Sequence, residues 1–182
     1  MKSEPEEYKM LKQEIMQYLG EYKSVRNNMY LITVTILGFS LAYKKENSYI
    51  FLLPLIIILP SYIISYNYCK CIFKIALYLV VFHERSEDCV FKWETMHRKF
   101  NEEDRHMSES DYQRVPYFFS AVVCLLLYFL NIDIKLGTEL YIGAICIMLS
   151  IIVFYKYNKI NSDKIMKDWE LVKYKYEYNK RS

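Results

Sequence analysis

The sequence predicts an all-α integral membrane protein: four transmembrane helices arranged as two hairpins, with helical cytoplasmic extensions. Three observations carry this prediction. All 24 basic and 21 acidic side chains fall outside four stretches, 27–43, 47–69, 115–132 and 140–155. Hydrophobic residues make up 53% of the 182 positions, above the roughly 45–50% of soluble chains. Between the uncharged runs, apolar residues recur every three to four positions, the period of packed helices. This partition excludes a disordered or collagen-like chain. A soluble domain of this size would have too little amphipathic surface to cover four such runs.

Residues 1–28 predict a cytoplasmic N-terminal helix. Tyr8, Leu11, Ile15, Tyr18, Tyr22 and Val25 mark its packed stripe. The polar opening Met1-Lys-Ser-Glu-Pro-Glu-Glu predicts no cleavable signal, so the first span acts as an uncleaved anchor. Residues 29–68 form the first transmembrane hairpin. Its first span, Met29–Tyr43, is the weakest, since it carries Thr33, Thr35, Gly38 and Ser40. Lys44 and Lys45 at its end can snorkel and extend its reach. The second span, Asn47–Cys69, holds Pro54 and Pro60, each a candidate kink. Ser61 and Ser65 supply a small-residue surface for close helix contact.

Residues 69–115 predict a cytoplasmic helical region. The stripe Ile72, Ile75, Leu79 and Phe82 continues the second span, and a further helix holds Phe91, Trp93, Met96 and Phe100. Phe91, Trp93 and Phe100 form a candidate patch for a soluble protein partner. Ser108 and Asp111 have the spacing to cap the helix entering the third span, where Pro116 marks the entry. Residues 116–155 form the second hairpin, with Gly143 a site of close helix packing. Residues 156–182 predict a cytoplasmic C-terminal helix with the stripe Ile165, Trp169, Val172 and Tyr176. Its eight bases and four acids allow an alternative placement on lipid.

Orientation follows from the loops. With both termini in the cytoplasm, 21 of the 24 basic residues lie inside, as the positive-inside rule requires. The outer loops, near Lys45 and Lys135, are short, so adjacent spans pair as hairpins. The five cysteines, 69, 71, 89, 124 and 146, are expected as free thiols.

Three fragments carry a resemblance. Glu21-Tyr22-Lys-Ser-Val25-Arg26 resembles a Glu-Tyr-x-x-Leu-Arg segment that precedes the first span in a group of small, largely uncharacterised bacterial multi-span membrane proteins. Leu59-Pro60 falls where that group has Tyr-Pro-Pro. Asn67-x-x-Lys70-x-Ile72-x-x-Ile75-x-x-Tyr78, trailing to Trp93-Glu94, is similar to its stretch after the second span. The resemblance covers about residues 20–95. It departs at Ser61, where a second proline stands in the group, and at Tyr68, where an acid does. It implies a membrane protein with a cytoplasmic helical extension and implies no chemistry; the expected location is a bacterial inner membrane.

Catalytic motifs are absent from the sequence, and four glycines leave no phosphate-cradling loop. Cys69-x-Cys71 with His83 or Cys89 lacks zinc-site spacing, because helix residues two apart point about 200° from one another. The acidic run Glu102–Asp111 reads as a solvated linker. His83, Glu84 and His97 are base-type residues with no nucleophile beside them in sequence. No cofactor, metal or nucleic-acid partner is expected. The four runs contain no ionisable Asp, Glu, Lys, Arg or His, which disfavours an ion-coupled transporter. The sequence therefore predicts a non-catalytic, homo-oligomeric protein in a lipid bilayer, with a cytoplasmic bundle that receives a signal or soluble partner. A membrane-perturbing defence effector is one form of that function. The alternatives are a channel or carrier for a small solute, lined by Thr33, Ser40, Ser61, Tyr62, Ser65 and Asn67, and a scaffold subunit of a larger complex.

Overall fold

The computed structural model describes residues 4–42, 48–85, 95, 109–132, 137–158 and 160–181, with side chains described at 6–42, 48–85, 95, 114–132, 137–158 and 160–179. The elements among them are all helical. They are α1 (Glu4–Ala42), a 3-10 turn (Ser48–Leu52), α2 (Leu55–Leu79) continued by a π turn (Val80–Glu84), α3 (Glu109–Asn131), α4 (Gly137–Lys156) and α5 (Ser162–Arg181). Three of these segments are long and apolar enough to cross a membrane: Ser48–Glu84, Arg114–Asn131 and Gly137–Lys156. The apolar end of α1 is not among them. From Met29 to Ala42 it covers about 21 Å at 1.5 Å per residue, against a hydrocarbon thickness of roughly 30 Å.

Local chemistry explains where the helices start and bend. Pro5 sits in the first turn of α1, where its missing N–H costs nothing. The expected second span does not begin as one helix at Asn47. The chain first makes the 3-10 turn, and Pro54 separates it from α2, its carbonyl accepting from Ile57 N–H (3.0 Å) and Ile58 N–H (2.9 Å). Pro60 lies inside α2 and removes the bond that would reach the Ile56 carbonyl. The helix α3 begins at Glu109, the residue after Ser108, and carries Pro116 internally. Ser120 Oγ donates to the Pro116 carbonyl at 2.8 Å. At the start of α5, Asn161 Oδ1 accepts the Lys164 N–H at 2.9 Å, an N-cap that satisfies an orphan donor.

The chain divides into two compact units. One, here the charged unit, comprises Met1–Glu21, Tyr68–Ser108 and Lys159–Ser182. The other, the apolar unit, comprises Tyr22–Asn67 and Glu109–Asn158.

In the apolar unit the core gathers Met29, Phe51, Leu55, Ile58, Tyr62, Tyr117, Cys124 and Tyr128. The 3-10 turn packs on α3, and α3 packs on α4. Tyr62 is the hub. Its ring meets Tyr117 of α3 (5.6 Å) and Phe154 of α4 (4.8 Å), and its hydroxyl donates to the Tyr157 carbonyl at 2.7 Å. Large apolar side chains dominate the exposed surface of α4 in this unit. Only 11% of the Gly137–Lys156 stretch is buried, and Tyr141, Met148 and Ile151 stand exposed.

Candidate functional site

The charged unit is built around a defect in α2. Past Leu79 the helix widens, and Arg85 N–H donates to the Val80 carbonyl five residues back (3.2 Å). Such π turns are rare and often mark functional positions. The widening redirects the Val81 carbonyl, which a regular helix would give to Arg85. It accepts instead from Lys173 Nζ of α5 at 2.8 Å. It also aims Glu84 inward, where the residue is only 2% exposed.

A buried carboxylate is costly unless charge-assisted hydrogen bonds offset its lost hydration. Glu84 has them. Its Oε2 accepts from both the backbone N–H and the hydroxyl of Thr95, each at 2.7 Å. Its Oε1 accepts from the Tyr8 hydroxyl of α1 at 3.4 Å. One side chain thus ties together α1, the π turn and Thr95.

Aromatic rings wall this cluster. Tyr8 and Tyr78 meet the His83 ring edge-on at 6.1 and 5.8 Å. Buried His83 Nε2 lies 3.7 Å from Glu7 Oε2, too far for a hydrogen bond. Glu7 in turn accepts from the Tyr78 hydroxyl at 2.8 Å. Burial, then that bond and the Glu7 charge, pushes the Tyr78 phenol up to about 12. From α5, the Trp169 indole N–H donates to the Lys74 carbonyl (3.0 Å), and its ring packs on Tyr78 at 5.2 Å. Glu170 pairs with Arg85 at 2.7 Å, a half-exposed contact of small energetic weight. The cluster acts as a clamp holding α1 and α5 on α2.

The residues singled out by sequence are dispersed. Phe91, Trp93 and Phe100 lie outside the described residues, as do His97, Cys89 and the run 102–108. His83 and Glu84 sit in the clamp, where their partners Glu7, Tyr8 and Thr95 are remote in sequence. Cys69 and Cys71 are free thiols, and among the described residues no three His, Cys, Asp or Glu side chains gather to hold a metal. Pro54, Pro60, Ser61, Ser65 and Gly143 belong to the apolar unit. Ser65 Oγ and Tyr117 Oη share a buried hydrogen bond of 2.6 Å. Ser61 is half-buried beside the Tyr62 hub. A Cβ on Gly143 would stand 2.8 Å from Phe129 Cζ and 2.9 Å from Tyr128 Cε1, so any larger residue here forces these rings of α3 to shift. The candidate channel-lining hydroxyls bond internally: Ser40 to the Ile36 carbonyl (2.7 Å), Thr33 to Met29 Sδ (3.7 Å), Ser65 to Tyr117 and Tyr62 to Tyr157. Asn67 is exposed.

No protein-family model, curated protein or solved structure matches the chain.

Proposed function

We propose that the chain is a non-catalytic multi-pass protein of a bacterial inner membrane, with four membrane-crossing segments and both termini cytoplasmic. It works as an oligomer. The charged unit receives a signal or a soluble protein partner, and the membrane segments respond. The observation that carries this reading is the inverted surface of α1. Leu31, Val34 and Phe39 are 70%, 67% and 64% exposed, whereas Thr33 and Ser40 are 4% and 0% exposed. A helix facing water would turn these residues the other way. With lipid outside, the pattern is the expected one, and it supports a fourth crossing in addition to the three longer helices. The 21-to-3 division of basic residues supports the orientation. The resemblance over residues 20–95 supports the bacterial inner membrane, and a membrane-perturbing defence effector fits the same description.

The clamp supplies the receiving element. It draws α1, the π turn and Thr95 onto one buried carboxylate, with α5 packed on the same turn, so a binding event there bears on all of these elements. Native mass spectrometry in several mild detergents tests the oligomer. A discrete assembly above the 22.1 kDa monomer is expected. Monomer in every detergent removes the premise.

A further inference from the structure

Among the described residues of the charged unit, one face of α1 and one face of α5 are left uncovered, and these faces match. On α1, Glu6, Met10, Glu14 and Gln17 follow at steps of four, four and three and line a shallow groove, with Met10 68% exposed. On α5, read backwards, Lys175, Leu171, Lys167 and Lys164 follow at the same steps, with Leu171 53% exposed. In an antiparallel pairing Glu6 falls opposite Lys175, and Met10 opposite Leu171. The same register sets Glu14 against Lys167 and Gln17 against Lys164. Asp168 also lies on the α5 face, which still keeps a net positive charge, while the α1 face is acidic.

Contacts inside the unit fix the directions of these helices independently. Tyr8 of α1 reaches Glu84 and Tyr18 meets Tyr68, so α1 runs antiparallel to α2. Trp169 reaches Lys74 and Lys173 reaches Val81, so α5 runs parallel to α2. Tyr8 and Lys173 both reach the π turn, so the two helices are antiparallel and share that end. Rotation about an axis parallel to the helices preserves direction and level, so a second copy can present its α5 face antiparallel to α1 near the register of the four pairs above.

We propose that the charged units of neighbouring copies associate head to tail, the outer face of α1 in one copy packing antiparallel on the outer face of α5 in the next. Two ion pairs flank a Met10–Leu171 contact. The surfaces differ on the two sides of the interface, so the assembly closes as a ring or extends as a filament rather than stopping at a two-fold dimer. This inference rests on the oligomeric reading above and names its interface.

The test uses the full chain in lipid nanodiscs and charge reversal on the two faces, at exposed Glu6, Lys167 and Lys175 and half-buried Glu14. Glu6→Lys with Glu14→Lys is expected to raise the midpoint concentration for assembly by about tenfold or more. Lys167→Glu with Lys175→Glu is expected to do the same. All four changes in one chain restore the charge match and are expected to restore assembly, which a folding defect would not allow. As a second measurement, a chain bearing Met10→Cys is mixed with one bearing Leu171→Cys, each with the native cysteines replaced. A disulfide between the two is expected, with little between identical variants. Assembly unaffected by either reversal, or equal cross-linking of Met10→Cys chains to one another, overturns the interface while leaving the oligomer standing. Wild-type chain that stays monomeric overturns both. Assembly that survives reversal but fails in anionic-lipid-free nanodiscs assigns the α5 face to lipid and also overturns the proposal.

Discussion

Among the described residues of the apolar unit, the buried polar side chains are all hydroxyls; those of Thr33, Ser40, Ser65, Ser120 and Ser150 bond to a thioether, a tyrosine hydroxyl or backbone carbonyls, and Ser48 Oγ is left without a partner. The charged unit instead buries a carboxylate, Glu84, and gathers donors from distant parts of the chain around it. On the proposed placement, the difference follows from what each surface faces. Where lipid covers the outside, apolar burial gives little net drive, and association depends on close fit and on modest hydrogen bonds. Where water covers the outside, apolar burial drives packing, and a buried ionised group adds directional constraint at an energetic cost. The apolar unit is therefore expected to tolerate loss of any one hydroxyl. The charged unit is expected to be intolerant of losing Glu84.

The largest expected effect is that of Glu84→Ala. It strands the Thr95 N–H and hydroxyl, each unsatisfied buried donor costing about 1–3 kcal/mol. Hydrogen exchange should rise across residues 4–21, 68–85 and 162–175 while the apolar unit keeps its protection. Equal loss of protection in both units would break the comparison.

Next comes Gly143→Leu. The added side chain must displace the Tyr128 and Phe129 rings, an overpacking cost of about 1–3 kcal/mol. The expected result is the mirror image of the first: resistance to denaturing detergent falls in the apolar unit, and exchange around Glu84 is unchanged. A smaller effect is expected from Ser65→Ala, Tyr117→Phe and the double variant. Their coupling should be about 0.6 kcal/mol, as for other hydrogen bonds between membrane helices. A coupling of several kcal/mol would show that the apolar unit, too, depends on a polar centre.

The helical class and the four uncharged runs were legible in the sequence, because apolar periodicity and charge exclusion are local signals. Pro60 and Pro116 could be placed inside apolar runs for the same reason. The clamp was not legible. A π turn requires only that one N–H skip a residue, and Val80-Val-Phe-His-Glu84 has no composition that distinguishes it from a regular helical turn. Glu84 was visible as a titratable residue, but its donors lie 11 and 76 positions away, and nothing in the chain's local pattern joins them. One signal was available: Tyr8 falls on an apolar stripe, where a hydroxyl needs a partner. The pairing of the 3-10 turn with α3 was likewise hidden, since short loops argue only for contacts between adjacent spans.

The smallest expected effect concerns pH. The Tyr78 phenol titrates near 12 in the fold, above its usual value near 10. Between these values the folded chain keeps a proton that the unfolded chain has lost. The resulting stability is fully present below about pH 10 and is lost as pH rises toward 12. Tyr78→Phe removes this dependence. Unfolding midpoints of the wild type should therefore fall more steeply than those of the variant from pH 10 to 12, and identical slopes would contradict the burial of the Tyr78 phenol and its bond to Glu7.

The central claim is that the apolar unit lies in a membrane with four crossings and that the charged unit lies in the cytoplasm. Single cysteines at Asn47 and Ser110, introduced after replacement of the five native ones, test it with a membrane-impermeant thiol reagent. Labelling at Asn47 only from outside intact cells, and at Ser110 only after the membrane is opened, is the predicted result. Labelling at Ser110 from outside intact cells would contradict the account.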